Sequence, residues 1–555
     1  AQRRRGELGQ AAMRTLQAIH TRSWKAAWPR LKELVDEGKI SQLEDYWIVN
    51  GFSCVTVKEH LESVRSVPGV RKIFAGPSRP VSRPAGPAVA PGFPPIPQQP
   101  FDPKRYQHPW YVRSLQADRV WKEYAVTGRG TLNIIHDFNF VFSKNLNGNL
   151  YRNAGEIPAN NIDDDKNGLV DDYHGYNFDD QTAVLTRVSV PLKSASPQGL
   201  HGFMCAAVVC GRGIAGSPYE FGIAPESEWA GVIGAARLEQ SIQWAVQQGA
   251  DTYSMSFSIP GLQEYRSHWR KVMEHGSLCG VFFVSGAGNF AQTAKLPVQM
   301  RTPEDIPEVV FAAAGVQRNF ERTPFSSQGP VNWQTEHYQD GLIQKPEVCA
   351  FNLGLPLLQR DGSVRPVALN GNSFAGPMFC GTIALMLSAD PDLLPWDLKE
   401  IITRTATDVA QPGIDGQTGH GLINSYRAVK EVLRRKALRE GRDPAAYTGR
   451  KPGDELNIVE AKARLTQFQV EVIRVVPGSQ AATAGLQLKD ILVSYNGQPI
   501  MNPTALRAAV AVAVQQRKEK VLLVIERQGE KKEFNLKPGQ LGISIGAQYL
   551  VPVFE

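Results

Sequence analysis

The feature that most limits what this chain can fold into is a change of pattern over residues 104–435. There, short runs of apolar and β-branched residues alternate with stretches of helical spacing. TLNIIHDF (131–138), GVFFVSGAGN (280–289) and EVVFAAAGV (308–316) read as strands; SIQWAVQQGA (241–250) and PMFCGTIALMLSAD (377–390) read as helices. The strand runs are apolar at successive positions, so both of their faces must be covered. Strands of that kind separated by helices imply an α/β domain with a parallel sheet and helices on both faces. Functional groups in such a sheet collect at the carboxyl ends of its strands.

Polar residues at those ends fall into a chemical set. Asp137 closes the apolar strand TLNIIHDF, His201 opens the apolar segment HGFMCAAVVCG, and Ser373 sits among small residues in NGNSFAGPMFCG, just ahead of a helix. An acid ending an apolar strand needs a specific polar partner, because an unpaired buried charge is costly. A hydroxyl nucleophile needs a base within reach, an acid to hold that base, and donors for the developing oxyanion. Asn289, on a small-residue loop after a strand, offers such a donor. A lone Asp, His or Ser in a core is more often a satisfied polar residue; four of them in separate segments, with the triad in the order Asp, His, Ser, argue for chemistry. Asp251, His174 and His420 read as structural.

These segments closely resemble the subtilisin-like peptidases, and within them the bacillopeptidase F-like group. The family's strand ending in Asp-Thr/Ser-Gly maps Asp137 onto the charge-relay acid, and its His-Gly-Thr-His-x-Ala-Gly maps His201 onto the base. Its Gly-Thr-Ser-Met-Ala-x-Pro maps Ser373 onto the nucleophile, and its Ala-Gly-Asn maps Asn289 onto the oxyanion donor. GIAPESEWAG, SIQWAVQQGADTYSMSFS, RTPFSSQGP and QKPEVCAFN are further family-like stretches, so the likeness covers nearly all of residues 104–430. The chain departs from the family at Phe138-Asn139, Phe203, Met204, Asn372 and Met378, which implies a more apolar active-site floor. Ser256-Phe257-Ser258 and Ser285-Gly286 resemble the two walls of the pocket beside the scissile bond. The mapping puts no carboxylate there, which implies an apolar or broad preference.

Between Asp137 and His201 lies EIPANNIDDDKNGLVDDYHGYNF (156–178). Asp163, Asp165, Asn167 and Asp171 around Gly168 copy the oxygen-ligand spacing of a calcium loop. His174 stands where that pattern has Glu, and a solvated acidic turn is the competing reading. Loops like this recur in related subtilisin-like proteins, which favours structural calcium; catalysis itself calls for no cofactor.

The flanks divide further. Residues 1–27 read as an N-terminal tail. Residues 28–76 read as a small α+β unit, with Leu31, Leu34 and Val35 on one helix face. YWIVNGFSCVTV and VPGVRKI in that unit resemble the family's inhibitory pro-domain, which implies an intramolecular inhibitor of a zymogen. Residues 77–103 hold ten prolines in 27 residues, an extended linker in which Arg79 and Arg83 mark a cutting zone. Residues 436–455 read as a solvated basic linker. Residues 456–555 form a β-rich unit whose VVPGSQAATAGLQLKDILVSYNGQPI resembles PDZ domains, implying a C-terminal peptide ligand held as an added strand. QLGI (540–543) is the nearest match to the family's carboxylate-binding loop.

Composition narrows the classes. With 42% hydrophobic and 21% charged residues the chain can bury cores, and no apolar run is long enough to span a membrane. Net charge is +7, and Lys430–Lys451 holds eight Lys/Arg against three Asp/Glu, but no nucleic-acid motif accompanies it. The six cysteines are scattered, mostly in apolar stretches, so cores and not a disulfide framework are expected; a Cys205–Cys380 bridge is the one pairing that the positions suggest. The opening AQRRRGELGQ is what a cleaved signal peptide would leave. The resulting expectation is an extracytoplasmic serine endopeptidase acting on proteins or peptides. The competing class is a peptide-binding PDZ scaffold that does not cut.

Overall fold

The computed structural model describes residues 4–76, 108–140, 146, 148–186, 200–212, 222–358, 364–366, 370–449, 451 and 453–549. The chain forms two compact units, Ala1–Glu455 and Leu456–Glu555. The proline-rich stretch 77–103 lies outside the described residues.

The first unit begins with helix α1 (Arg4–Asp36), the antiparallel strands β1 (Ile40–Tyr46) and β2 (Gly51–Thr56), and the short helix α2 (Leu61–Arg65). Ala27, Leu31 and Leu34 recur at i, i+4 and i+7, and they bury one face of α1 against Ile40, Val64 and Val67. Val35 lies outside that stripe and is exposed. The helix begins at Arg4, within the stretch read as a tail. Residues 4–27 contain no glycine after Gly9 and no proline, so helix propensity carries them once Ala27 and Leu31 are packed.

Helices α3 (Trp110–Ser114) and α4 (Ala117–Tyr124) lead into a seven-stranded, wholly parallel sheet. Its strands are β3 (Leu132–His136), β4 (Gly175–Asn177), β5 (Glu228–Ile233), β6 (Thr252–Met255), β7 (Phe282–Gly286), β8 (Val310–Val316) and β11 (Val348–Phe351), in the spatial order β11-β8-β7-β6-β3-β5-β4. Strands β9 (Val331–Gln334) and β10 (Gln339–Ile343) pair with each other, as do β12 (Pro356–Leu358) and β13 (Val364–Pro366). Every residue of β3, β7 and β8 is buried, as runs covered on both faces require. The covering helices are α5 (His201–Cys210), α6 (Leu238–Gln247), α7 (Tyr265–Leu278), α8 (Asn372–Ala389), α9 (Pro395–Thr405) and α10 (Ser425–Arg439). Neighbouring residues of β7 show the two layers directly. Phe282 packs edge-on against Phe379 of α8, whereas a Cβ at Gly276 of α7 would lie 2.6 Å from the Phe283 ring.

The N-terminal segment is seated on this domain at three places, one of them formed by Lys72, which pairs with Glu336 at 2.8 Å, and Phe74, which packs against Tyr265, His268 and His337. Its hairpin rests on α6 and α7: Gln243 Oε1 accepts the Ile48 N–H at 3.2 Å, Glu44 pairs with Arg237 at 3.0 Å, and His275 meets the Ile48 carbonyl. Far from the hairpin, Arg5 donates to the carbonyls of Gly280 (3.1 Å) and Pro391 (3.2 Å) and pairs with Asp251. Asp251, just before β6, also accepts the Leu132 N–H at 2.8 Å, which fits its reading as structural.

The run 430–455 is less solvated than its composition suggests. Lys430 and Asp454, both buried, pair at 2.6 Å, Arg435 bonds Glu400 and Glu431, and Arg439 forks onto Asp390. Basic residues on α10 thus face carboxylates of the same unit, a pattern that net charge along the sequence cannot reveal. None of the six cysteines forms a disulfide, and Cys380 Sγ lies 2.9 Å from Thr252 Oγ1 with no bridge to Cys205.

The second unit contains helix α11 (Ile458–Leu465), α12 (Gln480–Ala484) and α13 (Pro503–Gln515), with strands β14 (Phe468–Val475), β15 (Ile491–Tyr495), β16 (Gln498–Pro499), β17 (Val521–Arg527), β18 (Glu530–Leu536) and β19 (Ile543–Tyr549). Its antiparallel sheet runs β18-β17-β15-β14-β19, so the strand that follows QLGI is an edge strand. Among the described residues no helix is long and apolar enough to cross a membrane.

Removing one partner of a buried ion pair leaves the other charge uncompensated, at a cost of about 3–5 kcal/mol. Arg5→Ala is therefore expected to release the start of α1. Limited proteolysis should cut within residues 4–20 of the variant while the wild-type segment resists; equal resistance of the two proteins would contradict the anchoring role.

Candidate functional site

Asp137 stands where β3 leaves the sheet, with its N–H still bonded to the Val232 carbonyl at 2.9 Å. Its side chain is wholly buried, and Oδ1 accepts the Phe138 N–H at 2.7 Å. His201 is the first residue of α5, and its Nδ1 lies 2.9 and 2.8 Å from the two carboxylate oxygens of Asp137. Gly202 permits this approach, because a Cβ there would come within 2.6 Å of the Asn139 carbonyl oxygen. Burial works against the His201 imidazolium, but the Asp137 carboxylate outweighs it and holds the pKa well above the ordinary value. Next to Asp137, His136 is fully buried and bonds Tyr253 Oη at 2.9 Å; burial pulls its pKa down to about 3, so it stays neutral.

Ser373 is half-buried in the first turn of α8. Its carbonyl accepts from Cys205 Sγ (3.3 Å) and Ser256 Oγ (3.1 Å). Cys205 Sγ is also 3.8 Å from His201 Nδ1, and the His201 ring lies 5.9 Å from that of Phe374. Asp137 and His201 are therefore joined directly, and Ser373 is brought beside them through Cys205 and Phe374. The Ser373 hydroxyl itself makes no hydrogen bond among the described residues.

Asn289 is exposed at the end of its loop, and its Oδ1 accepts the Asn372 N–H at 2.9 Å. That bond turns the other end of the amide toward Gly371, where a Cβ would lie 3.2 Å from Nδ2. Asn372, noted in the sequence only as a departure from Thr, is fully engaged. Its Nδ2 donates to the Gly288 carbonyl (2.7 Å) and Ser326 Oγ (3.0 Å), and its Oδ1 accepts from Asn352 Nδ2 (2.6 Å). The sequence reading missed Asn352 and Ser326 in this role. Both sit inside family-like stretches, QKPEVCAFN and RTPFSSQGP, and that is the signal that would have found them.

The expected pocket residues lie around the same point. Ser285 Oγ donates to the Met255 carbonyl at 2.9 Å, and a Cβ at Gly286 would strike the Asn372 carbonyl oxygen at 2.2 Å. Phe257 packs edge-on against His136 and Phe138. Ser258 Oγ donates to Glu304 Oε1 at 2.7 Å, which puts a carboxyl group directly behind a wall that the sequence read as free of one. Glu304 is fully buried and lies outside the family-like stretches, so no motif pointed to it.

The acidic loop is regrouped relative to its spacing. Asp163 accepts the Asn167 and Gly168 N–H groups, and Asp171 accepts those of Asn160 and Asn161, so both close turns. Asn167 donates its Nδ2 to Asp165 (3.1 Å) and Asp172 (3.0 Å). Of the four candidates only Asp165 joins a convergent group, in which Glu156, Asp165 and Asp172 bring one oxygen each within 4.8 Å of one another. Burial, then the neighbouring carboxylates, push Glu156 and Asp172 upward. His174 bonds the Tyr151 carbonyl at 2.6 Å, in keeping with a structural place.

Comparison with known proteins follows the two units. The model of the subtilase family matches residues 139–421, which include His201, Asn289 and Ser373 and begin two residues after Asp137; that of the PDZ domain matches residues 471–527. A probable subtilase-type serine protease of Deinococcus radiodurans is 25% identical over 336 residues, covering 56% of this chain and 41% of the relative. Bacillopeptidase F of Bacillus subtilis is 22% identical over 434 residues, covering 72% of the chain and 27% of the relative. A calcium-dependent protease of Nostoc is 25% identical over 274 residues, covering 42% and 40%. The chain thus spans less than half the length of each of these relatives. Its parallel sheet, the site at the carboxyl ends of its strands and the extent of the family match agree: the chain belongs to the subtilase family and carries a PDZ domain after it.

Proposed function

We propose that this chain is a serine endopeptidase in which Ser373 is the nucleophile, His201 the base, Asp137 the residue that orients it and Asn289 an oxyanion donor. The observation that carries this reading is the Asp137–His201 pair, with Nδ1 within 2.9 Å of both carboxylate oxygens and the other edge of the ring left to act as a base. In the reaction Ser373 Oγ bonds to the carbonyl carbon of the scissile peptide as its proton passes to His201 Nε2. The carbonyl oxygen becomes the oxyanion, met by Asn289 Nδ2 and the amide end of α8. His201 then gives the proton to the leaving amine, and water repeats the sequence on the ester. The bond between Asn372 N–H and Asn289 Oδ1 supports the assignment, since it fixes the amide with its donor end free.

The flanking parts extend the reading. Residues 28–76 act as an inhibitor seated on α6 and α7, released when the 77–103 segment is cut. Edge strand β19 receives an extended peptide beside it, for substrate recruitment or regulation. The setting is extracytoplasmic. Ser256, Phe257, Ser258, Ser285 and Gly286 line the pocket beside the scissile bond, with the Glu304 carboxyl behind Ser258. A non-cutting scaffold draws its one support from the Ser373 hydroxyl, which makes no bond to His201.

Fluorophosphonate labelling and casein cleavage decide between the two. Wild-type protein should label and cut, and Ser373→Ala should lose labelling and at least about three orders of magnitude in rate. Absence of labelling after removal of residues 1–103 would leave the scaffold. Because the Asp137 carboxylate holds His201 above its ordinary pKa, the base is neutral only at higher pH. The rate kcat/KM should therefore rise with pH through an ionisation above the normal histidine range; a plateau reached by pH 6 would refute the upward shift that the Asp137 carboxylate imposes on His201.

Glu304 gives a separate prediction about stability. Burial raises its carboxyl from 4.5 to about 8, so the folded state holds a proton that the unfolded state has released. The stability tied to that proton is complete below about pH 4.5 and is lost as pH rises through 8. Relative to wild type, Glu304→Gln should gain in Tm from pH 5 to pH 9; a constant difference in Tm across that range would refute the assignment.

A further inference from the structure

We propose that Glu304, acting through Ser258, makes the pocket beside the scissile bond selective for a basic residue, lysine or arginine, just before the cut. This deepens the peptidase reading and rests on it. It replaces the apolar or broad preference that the sequence alone implies.

The carboxyl group of Glu304 bridges the two walls of the pocket. Ser258 Oγ, on one wall, donates to Glu304 Oε1 at 2.7 Å. A Cβ at Gly288, two residues beyond the Ser285-Gly286 wall, would lie 2.7 Å from the same oxygen. The Arg301 N–H also donates to Oε1, at 3.0 Å. The Ile259 N–H bonds the Thr302 carbonyl at 2.7 Å, so the segment that carries Glu304 runs along the wall that carries Ser258. Oε2 is buried and has no hydrogen-bond partner among the described residues.

The hydroxyls of the pocket already have their protons committed. Ser258 donates to Glu304, and Ser256 donates to the Ser373 carbonyl at 3.1 Å. Both serines are half-buried, and what each can still offer an arriving side chain is lone pairs. Ser285 likewise gives its proton to the Met255 carbonyl. Acceptors backed by a carboxyl group call for a donor, and a cationic donor gains most, because its hydrogen bonds are charge-assisted. An apolar side chain would cover these oxygens and pair with none of them.

No cation of the described protein takes this place. The Arg301 guanidinium lies 3.5 Å over the Phe290 ring, Arg266 pairs with Asp305 at 3.3 Å, and Lys345 pairs with Glu347 at 3.0 Å. Burial raises the Glu304 carboxyl to about 8, so at pH 8 about half of it is ionised and an arriving cation has little protonation to undo. Because Glu304 is fully buried, the head of the substrate side chain meets Ser258 Oγ, and Glu304 is the positioning residue that holds that hydroxyl as an acceptor.

The test compares two diphenyl phosphonate probes of Ser373 on the full chain at pH 8. One carries a lysine side chain, the other the uncharged norleucine side chain, and a fluorophosphonate with neither is run beside them. Wild-type protein should react at least about tenfold faster with the lysine probe than with the norleucine probe. Glu304→Gln and Ser258→Ala should each bring the two rates together. The ratio is taken within one protein, so a general loss of reactivity in a variant cancels. Fluorophosphonate labelling with equal rates for the two probes, or with norleucine the faster, would overturn the proposal and leave the peptidase reading standing. So would a lysine preference that the variants retain; Ser258→Ala, at a half-buried position, decides this even where Glu304→Gln fails to fold. Absence of labelling by all three probes would overturn the peptidase reading, and this proposal with it.

Discussion

The geometry of the cleft depends on how the first turn of α8 is held, and the Asn372 side chain holds it. One amide reaches the carbonyl of Gly288 on the loop after β7, the hydroxyl of Ser326 and the amide of Asn352 after β11. Its own backbone N–H fixes the Asn289 side chain. Three chain segments, the loop after β7 and those carrying Ser326 and Asn352, are thereby locked to the residue that precedes Ser373. The network leaves one buried acceptor, Asn352 Oδ1, without a hydrogen-bond partner among the described residues. The close packing at Gly286 and Gly315 follows from it, since a Cβ at Gly315 would overlap both Asn352 and Asn372. The residue that the sequence showed only as a departure from the family motif is the one that ties these segments together.

Much of the fold was legible in the sequence because parallel sheets and the polar residues at their strand ends leave local marks. The wholly apolar runs of β3, β7 and β8 announced a sheet covered on both faces, and Asp137, His201, Ser373 and Asn289 each sat next to a strand end or a helix start. What stayed hidden depends on long-range pairing. Glu304 meets Ser258 only because residues 46 positions apart in sequence are folded together. The loop 156–172 misled for a related reason. Alternate spacing predicts convergence of Asp163, Asp165 and Asp171, but Asp163 and Asp171 are diverted to backbone donors within reach of their own turns. Glu156, which joins the cluster, lies too far upstream for any loop pattern to include it.

The ends of the first unit show the same limit. α1 extends back to Arg4 because Arg5 has a buried destination, and that destination, Asp251, was legible only as a structural residue with no partner named. Likewise α10 looked like part of a solvated basic run until Lys430, Arg435 and Arg439 met Asp454, Glu400 and Asp390. Charge along a sequence reports how many ions there are, and only the fold reports which of them are neutralised.

The N-terminal segment is held by Arg5 on Asp251, by the hairpin on α6 and α7, and by Lys72 and Phe74 against Glu336 and Tyr265, and this spread bears on the latency proposed above. The hairpin holds α6 and α7 through Glu44, Ile48 and His275, whereas Arg5 enters beside Asp251 at the amino end of β6, away from the carboxyl ends that carry Asp137 and the Asn289 loop. A cut anywhere in 77–103 severs the covalent link but none of these contacts. Release must then break a buried ion pair, a hairpin interface and the Lys72 and Phe74 contacts on one continuous body, so the losses are coupled. An inhibitor bound in this way would leave slowly after cleavage. On the function proposed above, its departure would be governed in part by the Arg5–Asp251 pair at the amino end of β6, so the strength of that inhibition could change through Arg5 or Asp251 without any change at Ser373.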